Sequence, residues 1–492
     1  MIDERHNQTS NDHDRHQTGD DRRRFADLLA TTTIAAYVLV ALGTAVATTD
    51  GAATCTTWPN CASDSTLGSL AGDALLFWGH RAAALLTGLL VVASGLAVRR
   101  VDVGRRVAGL VGLALVLFPV QVVLGAALVV GGPAAVNGLH LVLAMVIFAS
   151  LLVALVRTLE VDARDESMQL DVLETADPVP DAGDRADTVA TTERPSGPIS
   201  RLKQTAGAYL TLTKPRLMWL LCLVAVAGMG LATLTGAALE PVTVVATLSG
   251  GVLAIGASGT FNHVYERDRD RRMNRTSDRP LVHDLVPARN ALAFGVGLTL
   301  ASMAVLVVWV NPLSAALTLV AIAYYAALYT IVLKPNTAWN TVLGGGAGAL
   351  PAVIGWAAVT DGIGLPAIAL AAVIFLWTPA HFYSLAIAYR DDYARGGFPM
   401  FPVVEGVLAA RRHVAFYLGA TLLAASVLGW LAGLGPVYAV TSIALGAVFL
   451  RSVIRQYRRP TDEVALRSFY VSNYYLGAIL LAIVLETLVI AG

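Results

Sequence analysis

The chain of 492 residues is 56% hydrophobic and only 14% charged, with 35 basic against 35 acidic residues and a mean hydropathy of +0.63. This composition lies outside that of soluble globular domains and points to a membrane protein. The zero net charge gives no electrostatic case for a nucleic-acid partner.

A helix that crosses the hydrocarbon layer needs about 20 apolar residues. Thirteen such stretches occur in two groups. The first group lies near 28–49, 75–98, 107–130 and 138–157. The second lies near 217–235, 242–262, 291–310, 312–333, 340–358, 365–388, 414–434, 436–454 and 470–491. Uninterrupted spans of this length imply helices rather than barrel strands. The expected fold is therefore all-α and polytopic, a four-helix bundle followed by a nine-helix bundle.

Residues 1–27 form a polar tail carrying Arg22, Arg23 and Arg24, without the apolar core of a signal peptide. Lys and Arg recur in every second gap between spans. The alternate loops 50–74, 131–137, 236–241, 359–364 and positions 311 and 435 contain none. That asymmetry predicts a multi-pass protein of the cell membrane with its N-terminus in the cytoplasm and its C-terminus outside.

In the first group, residues 28–158, His80 and His140 stand at a similar depth near the outer ends of spans two and four. Each reads alone as a hydrogen-bonded core residue; as a pair they suit axial ligation of one haem. Arg81 is placed to meet a haem propionate. Cys55 and Cys61 lie in the outer loop CTTWPNC, where a disulfide is permitted, and Cys222 reads as structural. Residues 159–201 hold eleven acids against three Arg in 160–200 and read as a disordered, solvated linker. Residues 202–492 form the second unit.

The sixth span runs into NHVYERDRDRRMNRTSDRP, residues 262–280. Asn262, Glu266 and Asp270 recur every four residues and share one helical face. Acids are costly at a membrane surface, so this face suits a Mg2+ platform completed by water and phosphate oxygens. Arg267, Arg271, Arg272, Arg275 and Arg279 supply diphosphate partners, or merely mark a positive inner loop. A second inner loop, YRDDYARGGFPMFPV, offers Asp391 and Asp392, either as further metal or diphosphate ligands or as parts of a turn. His381 reads as a core hydrogen-bonding residue or a haem contact. His263 and His283 read as solvated.

These segments resemble the protohaem IX farnesyltransferases (haem O synthases) of the UbiA-type prenyltransferase superfamily. The resemblance rests on TKPR (213–216), NHVYERDRDRRMNRT, RPL, LKPNTAWN, GWAAVTDG, TPAHFYSLAI and YRDDYARGGFPMFPV, in order along 205–492. It implies farnesyl transfer from farnesyl diphosphate to a vinyl group of haem B, with Mg2+ on Asn262, Glu266, Asp270 and Asp392 and with Asp391 beside them. It also implies diphosphate or substrate contacts from Lys214, Arg216, Arg275, Arg279, Lys334 and His381; Tyr324, Tyr325 and Tyr329 are available to face a cation, and their helical clustering reads equally as ordinary packing. A quinone or archaeal-lipid prenyltransferase and a non-enzymatic haem carrier are the alternatives.

The first unit resembles half of a haem A synthase, on CTTWPNC, WGHR and NGLHL. Where that family carries a Glu, three residues before its first His, this chain has Phe77. The resemblance thus implies haem binding without oxidation; delivery, dimerisation and a vestigial role stay open. So do a homo-oligomer and a separate haem A synthase partner.

Overall fold

The computed structural model describes residues 2–48, 58, 73–133, 135–174 and 197–490. Among the described residues there are helices and turns and no strand. Thirteen helices are long and apolar enough to cross a membrane, matching the thirteen apolar stretches. The first unit is α1 (Ile2–Ala47), α2 (Asp73–Ala97), α3 (Arg105–Val129) and α4 (Ala135–Glu174). A mostly exposed helix α5 (Pro198–Leu212) leads into α6 (Pro215–Thr233), α7 (Pro241–Asp270), α8 (Ala288–Trp309), α9 (Pro312–Asn336), α10 (Asn340–Thr360) and α11 (Leu365–Ala388). Two short helices, α12 (Arg390–Arg395) and α13 (Phe401–Val404), precede α14 (Val407–Ala432), α15 (Pro436–Arg458) and α16 (Asp462–Leu485).

Prolines open many of these helices. α5, α6, α7, α9, α11 and α15 each carry Pro in the first turn, where its missing N–H has no intrahelical partner to lose. Small residues set the closest crossing: a Cβ on Gly355 would lie 2.0 Å from the Ala225 carbonyl oxygen, and one on Gly228 would lie 2.3 Å from that of Ala352. α6 and α10 therefore touch backbone to backbone, the contact that dispersion rewards in lipid. A buried acid finds its own partners. Glu486 accepts from the Gly435 N–H at 2.6 Å and the Tyr438 N–H at 2.9 Å, so its charge caps the first turn of α15.

The two units pack along a seam formed by α1 and α4 against α14 and α15. The fully buried Tyr37 of α1 donates its hydroxyl to the Ser442 carbonyl at 2.6 Å. It lies over Gly446, where an added Cβ would sit 2.2 Å from the Tyr37 hydroxyl oxygen. Asp27 pairs with Arg458, Glu160 with Arg412 at 3.7 Å, and Thr48 donates to the Leu434 carbonyl at 3.2 Å.

Two expectations are modified. The stretch read as a solvated linker is helical at both ends, because α4 continues to Glu174 and α5 begins at Pro198. Residues 160–174 lack Gly and Pro and are rich in helix formers, so nothing stops α4 at the membrane. In the same way α1 takes in the polar tail from Ile2. Cys55, Cys61 and residues 175–196 lie outside the described residues; Cys222 is a free thiol.

Gly446→Val should lower the thermal midpoint of the detergent-solubilised protein, since overfilling a packed contact costs about 1–3 kcal/mol. Gly251→Ala, facing open space on α7, should leave it unchanged or raise it. Equal midpoints for both variants would show that the seam contributes little.

Candidate functional site

α7 carries the charged face. Asn262, His263, Glu266 and Asp270 are all nearly fully buried at its C-terminal end. At 100° per residue they span one quadrant, with Gly259 in the middle of it one turn earlier. Gly259 admits the chain entering α6: a Cβ there would lie 2.9 Å from the Leu212 carbonyl oxygen and 3.2 Å from Lys214 Cγ. Lys214 takes a left-handed backbone, φ 55°, which no Cβ-bearing residue adopts freely. Its ammonium thereby reaches the Asn262 side-chain Oδ1 and the Tyr325 hydroxyl, the latter at 3.3 Å.

Every buried acid on this face is met by a cation. Lys334 Nζ lies 2.5 Å from Glu266 Oε1. Arg279 Nη1 lies 2.6 Å from Asp270 Oδ2 and 3.6 Å from Glu266 Oε2, bridging the two carboxylates. Burial pulls the Lys214 ammonium down to about 8, against the opposing attraction of Glu266. α9 positions Tyr325 and Lys334 through a π-helical stretch, Tyr324–Leu333, within which the Thr330 side-chain hydroxyl donates to the Tyr325 carbonyl at 2.8 Å. The Asn262 amide donates to the same Thr330 hydroxyl at 3.1 Å. Such stretches are frequent at functional sites. Tyr325 and Tyr329 sit with ring centroids 5.5 Å apart, while Tyr324 turns away to the Leu343 carbonyl.

The second acidic loop divides. Asp392 is buried and accepts from the backbone N–H of Asn274 at 2.7 Å and of Arg275 at 3.4 Å, and from Arg395 at 2.8 Å. Its oxygens are committed to fastening the loop after α7, and through it the Arg275 side chain. That guanidinium donates to the Tyr393 hydroxyl at 3.0 Å and lies over the Tyr389 and Tyr393 rings. Asp391 is 75% exposed beside Arg390, so it falls outside the cluster expected of it. Arg216, in the first turn of α6, is exposed and also stands apart. His381 is stacked between Trp377 at 4.2 Å and Phe469 at 4.3 Å, with Nδ1 2.6 Å from the Ser472 hydroxyl; both ring faces are covered, which leaves only an edge for any substrate.

Two histidines read from sequence as solvated also divide. His283 is half exposed, but His263 is buried with an unpartnered Nδ1, because α7 remains inside the bundle for two turns beyond it. The periodicity that picked out Asn262, Glu266 and Asp270 would have found His263 too, three residues before Glu266.

The donors fit Mg2+, a hard cation that takes few protein carboxylates and keeps oxygen ligands from phosphate and water. Glu266, Asp270 and the Asn262 amide supply oxygens on one face. Among the described residues, no three His, Cys, Asp or Glu converge as a complete cage.

A second site lies at the opposite end of the bundle. A cavity that opens to the outside is lined from all four helices of the first unit together with Trp58 and Trp430, and His80 and His140 both border it. The Nδ1 atoms of both rings are buried without a partner. Each ring rests on bare backbone: a Cβ on Gly43 would lie 3.2 Å from His80 Cε1, and one on Gly125 would lie 3.2 Å from His140 Cε1. Two imidazoles on one mainly apolar cavity are the donor set that suits a haem. Phe77 is buried on the same wall, with the Arg81 guanidinium 4.2 Å from its ring centroid.

The UbiA prenyltransferase family model matches residues 221–477, and a model described as a cytochrome oxidase assembly protein matches residues 5–152. A protoheme IX farnesyltransferase 2 from Natronomonas pharaonis is 53% identical over 471 residues, which cover 95% of this chain and 100% of that one. A protoheme IX farnesyltransferase from Trichormus variabilis is 40% identical over 287 residues, 58% of this chain and 90% of its own. A solved digeranylgeranylglyceryl phosphate synthase aligns over 58% of this chain and 99% of its own with a TM-score of 0.49 and 14% identity.

Glu266→Gln should destabilise the protein by about 3–5 kcal/mol, because Lys334 is left buried without its anion. Adding Lys334→Met should recover part of that loss. A double-mutant cycle on denaturant stability reads the coupling, and strictly additive losses would show that the pair acts independently.

Proposed function

This chain belongs to the protohaem IX farnesyltransferases of the UbiA prenyltransferase family, and from that premise we propose that it joins a farnesyl group from farnesyl diphosphate to a vinyl group of haem B, giving haem O and diphosphate. The observation that carries the reading is the convergence of Lys214, Arg275, Arg279 and Lys334 on the buried Asn262–Glu266–Asp270 face. Such a site is built for a polyanion that leaves with more charge than it brought.

The C1–O bond of the donor breaks with both electrons leaving on the diphosphate, and the residual allylic cation needs shielding from water. Lys214, Lys334 and Arg279 are placed to take up the departing charge, and stabilisation of that charge is the main electrostatic task. Arg275, held by Asp392 through the loop backbone, flanks them. Mg2+ held by Asn262, Glu266 and Asp270 would add neutralising charge on the diphosphate. The Tyr325 ring stands beside Lys214, with the Tyr329 ring against it, and both offer π faces to the cation. The vinyl π electrons of haem then form the new C–C bond. The cation left beside the macrocycle takes the oxygen of water, and a proton is released. Electrons balance without an oxidant or reductant.

The asymmetry of Lys and Arg supports placing the carboxylate end in the cytoplasm, with the N-terminus there and the C-terminus outside. His80 and His140 are suited to clamp one haem near the outer face. Phe77, where the resembling haem A synthases carry a carboxylate, argues that this haem is held and not oxidised.

Purified protein incubated with haem B, farnesyl diphosphate and Mg2+ should yield haem O by mass spectrometry, with product formation down by at least about a hundredfold in Asp270→Asn. A full yield from that variant would remove Asp270 from the chemistry. In addition, KM for farnesyl diphosphate should rise as pH passes upward through about 8, because Lys214 then loses the charge that meets the diphosphate. A KM that stays flat to about pH 9.5, where an unperturbed lysine is still charged, would refute that role.

A further inference from the structure

The cavity that holds His80 and His140 is not enclosed by the first unit alone. Trp430, near the end of α14 in the prenyltransferase unit, forms part of its wall. It is partly exposed, whereas its α14 neighbours Leu428 and Gly429 are buried. A second, much smaller pocket lies along the seam. It shares Thr44 with the larger one and runs between Ala41, Thr44 and Ala45 of α1 and Ser426, Gly429 and Tyr438 across from them. α1 therefore presents Gly43 to His80 on one side and packs on the prenyltransferase unit through Tyr37 and Thr48 on the other.

We propose that the haem pocket is a composite of the two units, closed by Trp430, so that haem binding in the four-helix unit and its docking on the prenyltransferase unit stabilise each other. The inference rests on the reading of His80 and His140 as haem ligands but adds a residue and a coupling that the reading does not contain. A broad aromatic wall is what a porphyrin face or edge packs against. The other walls come from α1–α4 and from Trp58 ahead of α2, so undocking would remove the prenyltransferase side of the pocket. Linkage then requires reciprocity: whatever factor docking contributes to haem affinity, haem returns to docking.

The full-length haem-loaded protein tests this by transfer of haem to excess apomyoglobin, with the low-spin absorption spectrum recorded before transfer. Trp430→Ala should keep the bis-His spectrum and release haem about tenfold faster, the size of effect that loss of one well-packed aromatic wall residue produces. Trp430→Phe should restore most of the retention. Tyr37→Phe removes a seam hydrogen bond without touching the cavity and should also speed release, and this variant keeps the test valid if Trp430→Ala does not fold. Wild-type release rates in both Trp430→Ala and Tyr37→Phe would overturn the composite pocket while leaving the ligand assignment intact. Absence of any low-spin haem that is lost in His80→Ala and His140→Ala would instead overturn the ligand assignment and this inference with it.

Discussion

Two carboxylates buried at one end of an apolar bundle are the constraint around which the prenyltransferase unit is arranged. Glu266 and Asp270 are almost wholly removed from solvent, and isolated charges in such a place would cost several kcal/mol each. Three separate segments are bent to answer them. The strained turn at Lys214 aims one ammonium at the same helix face, the π stretch of α9 delivers Lys334, and the loop after α7 folds back to bring Arg279 between both acids. The loop itself is kept in place by Asp392. This network of compensation is also a store of cations already desolvated and already aimed, so an arriving diphosphate need only compete with the carboxylates for them. The same groups serve stability when the site is empty and chemistry when it is filled.

Away from that end, lipid offers no hydrophobic driving force between helices, and fit decides how they associate. Backbone contact at Gly228 and Gly355 joins α6 to α10. Tyr37 over Gly446 joins the two units. Trp430 then places a prenyltransferase helix in the lining of the other unit's cavity, so the chain is less a tethered pair than two bundles packed along one seam.

Much of this was legible in the sequence because the membrane imposes strong periodic signals. The thirteen spans follow from hydropathy alone, the common buried face of Asn262, Glu266 and Asp270 from spacing by fours, and the placing of His80 and His140 on one cavity from their shared depth. Other features depend on contacts between distant segments. Asp391 and Asp392 are chemically equal neighbours, and only the short helix after Tyr389 turns one outward and the other into the loop backbone. His263 reads as solvated while α7 is taken to leave the membrane there, and as buried once the bundle is known to extend further. The seam leaves no trace in composition, since Tyr37 and Gly446 are unremarkable residues 409 positions apart. Helix α4 overruns its expected end because acidic residues discourage a core but do not discourage a helix.

The π stretch in α9 fixes a register. A π turn holds more residues than an α turn, so the ten residues from Tyr324 to Leu333 advance the helix less in angle than an α-helix of equal length would. Restoring α geometry at the same length would turn Lys334 about the axis relative to Tyr325 and carry it off Glu266. Losing one residue together with that tightening offsets the rotation, so the wide turn is the means by which the helix carries extra length without changing the side that Lys334 presents. A homologue with a one-residue gap here could therefore keep the same lysine on its buried glutamate through a plain α-helix.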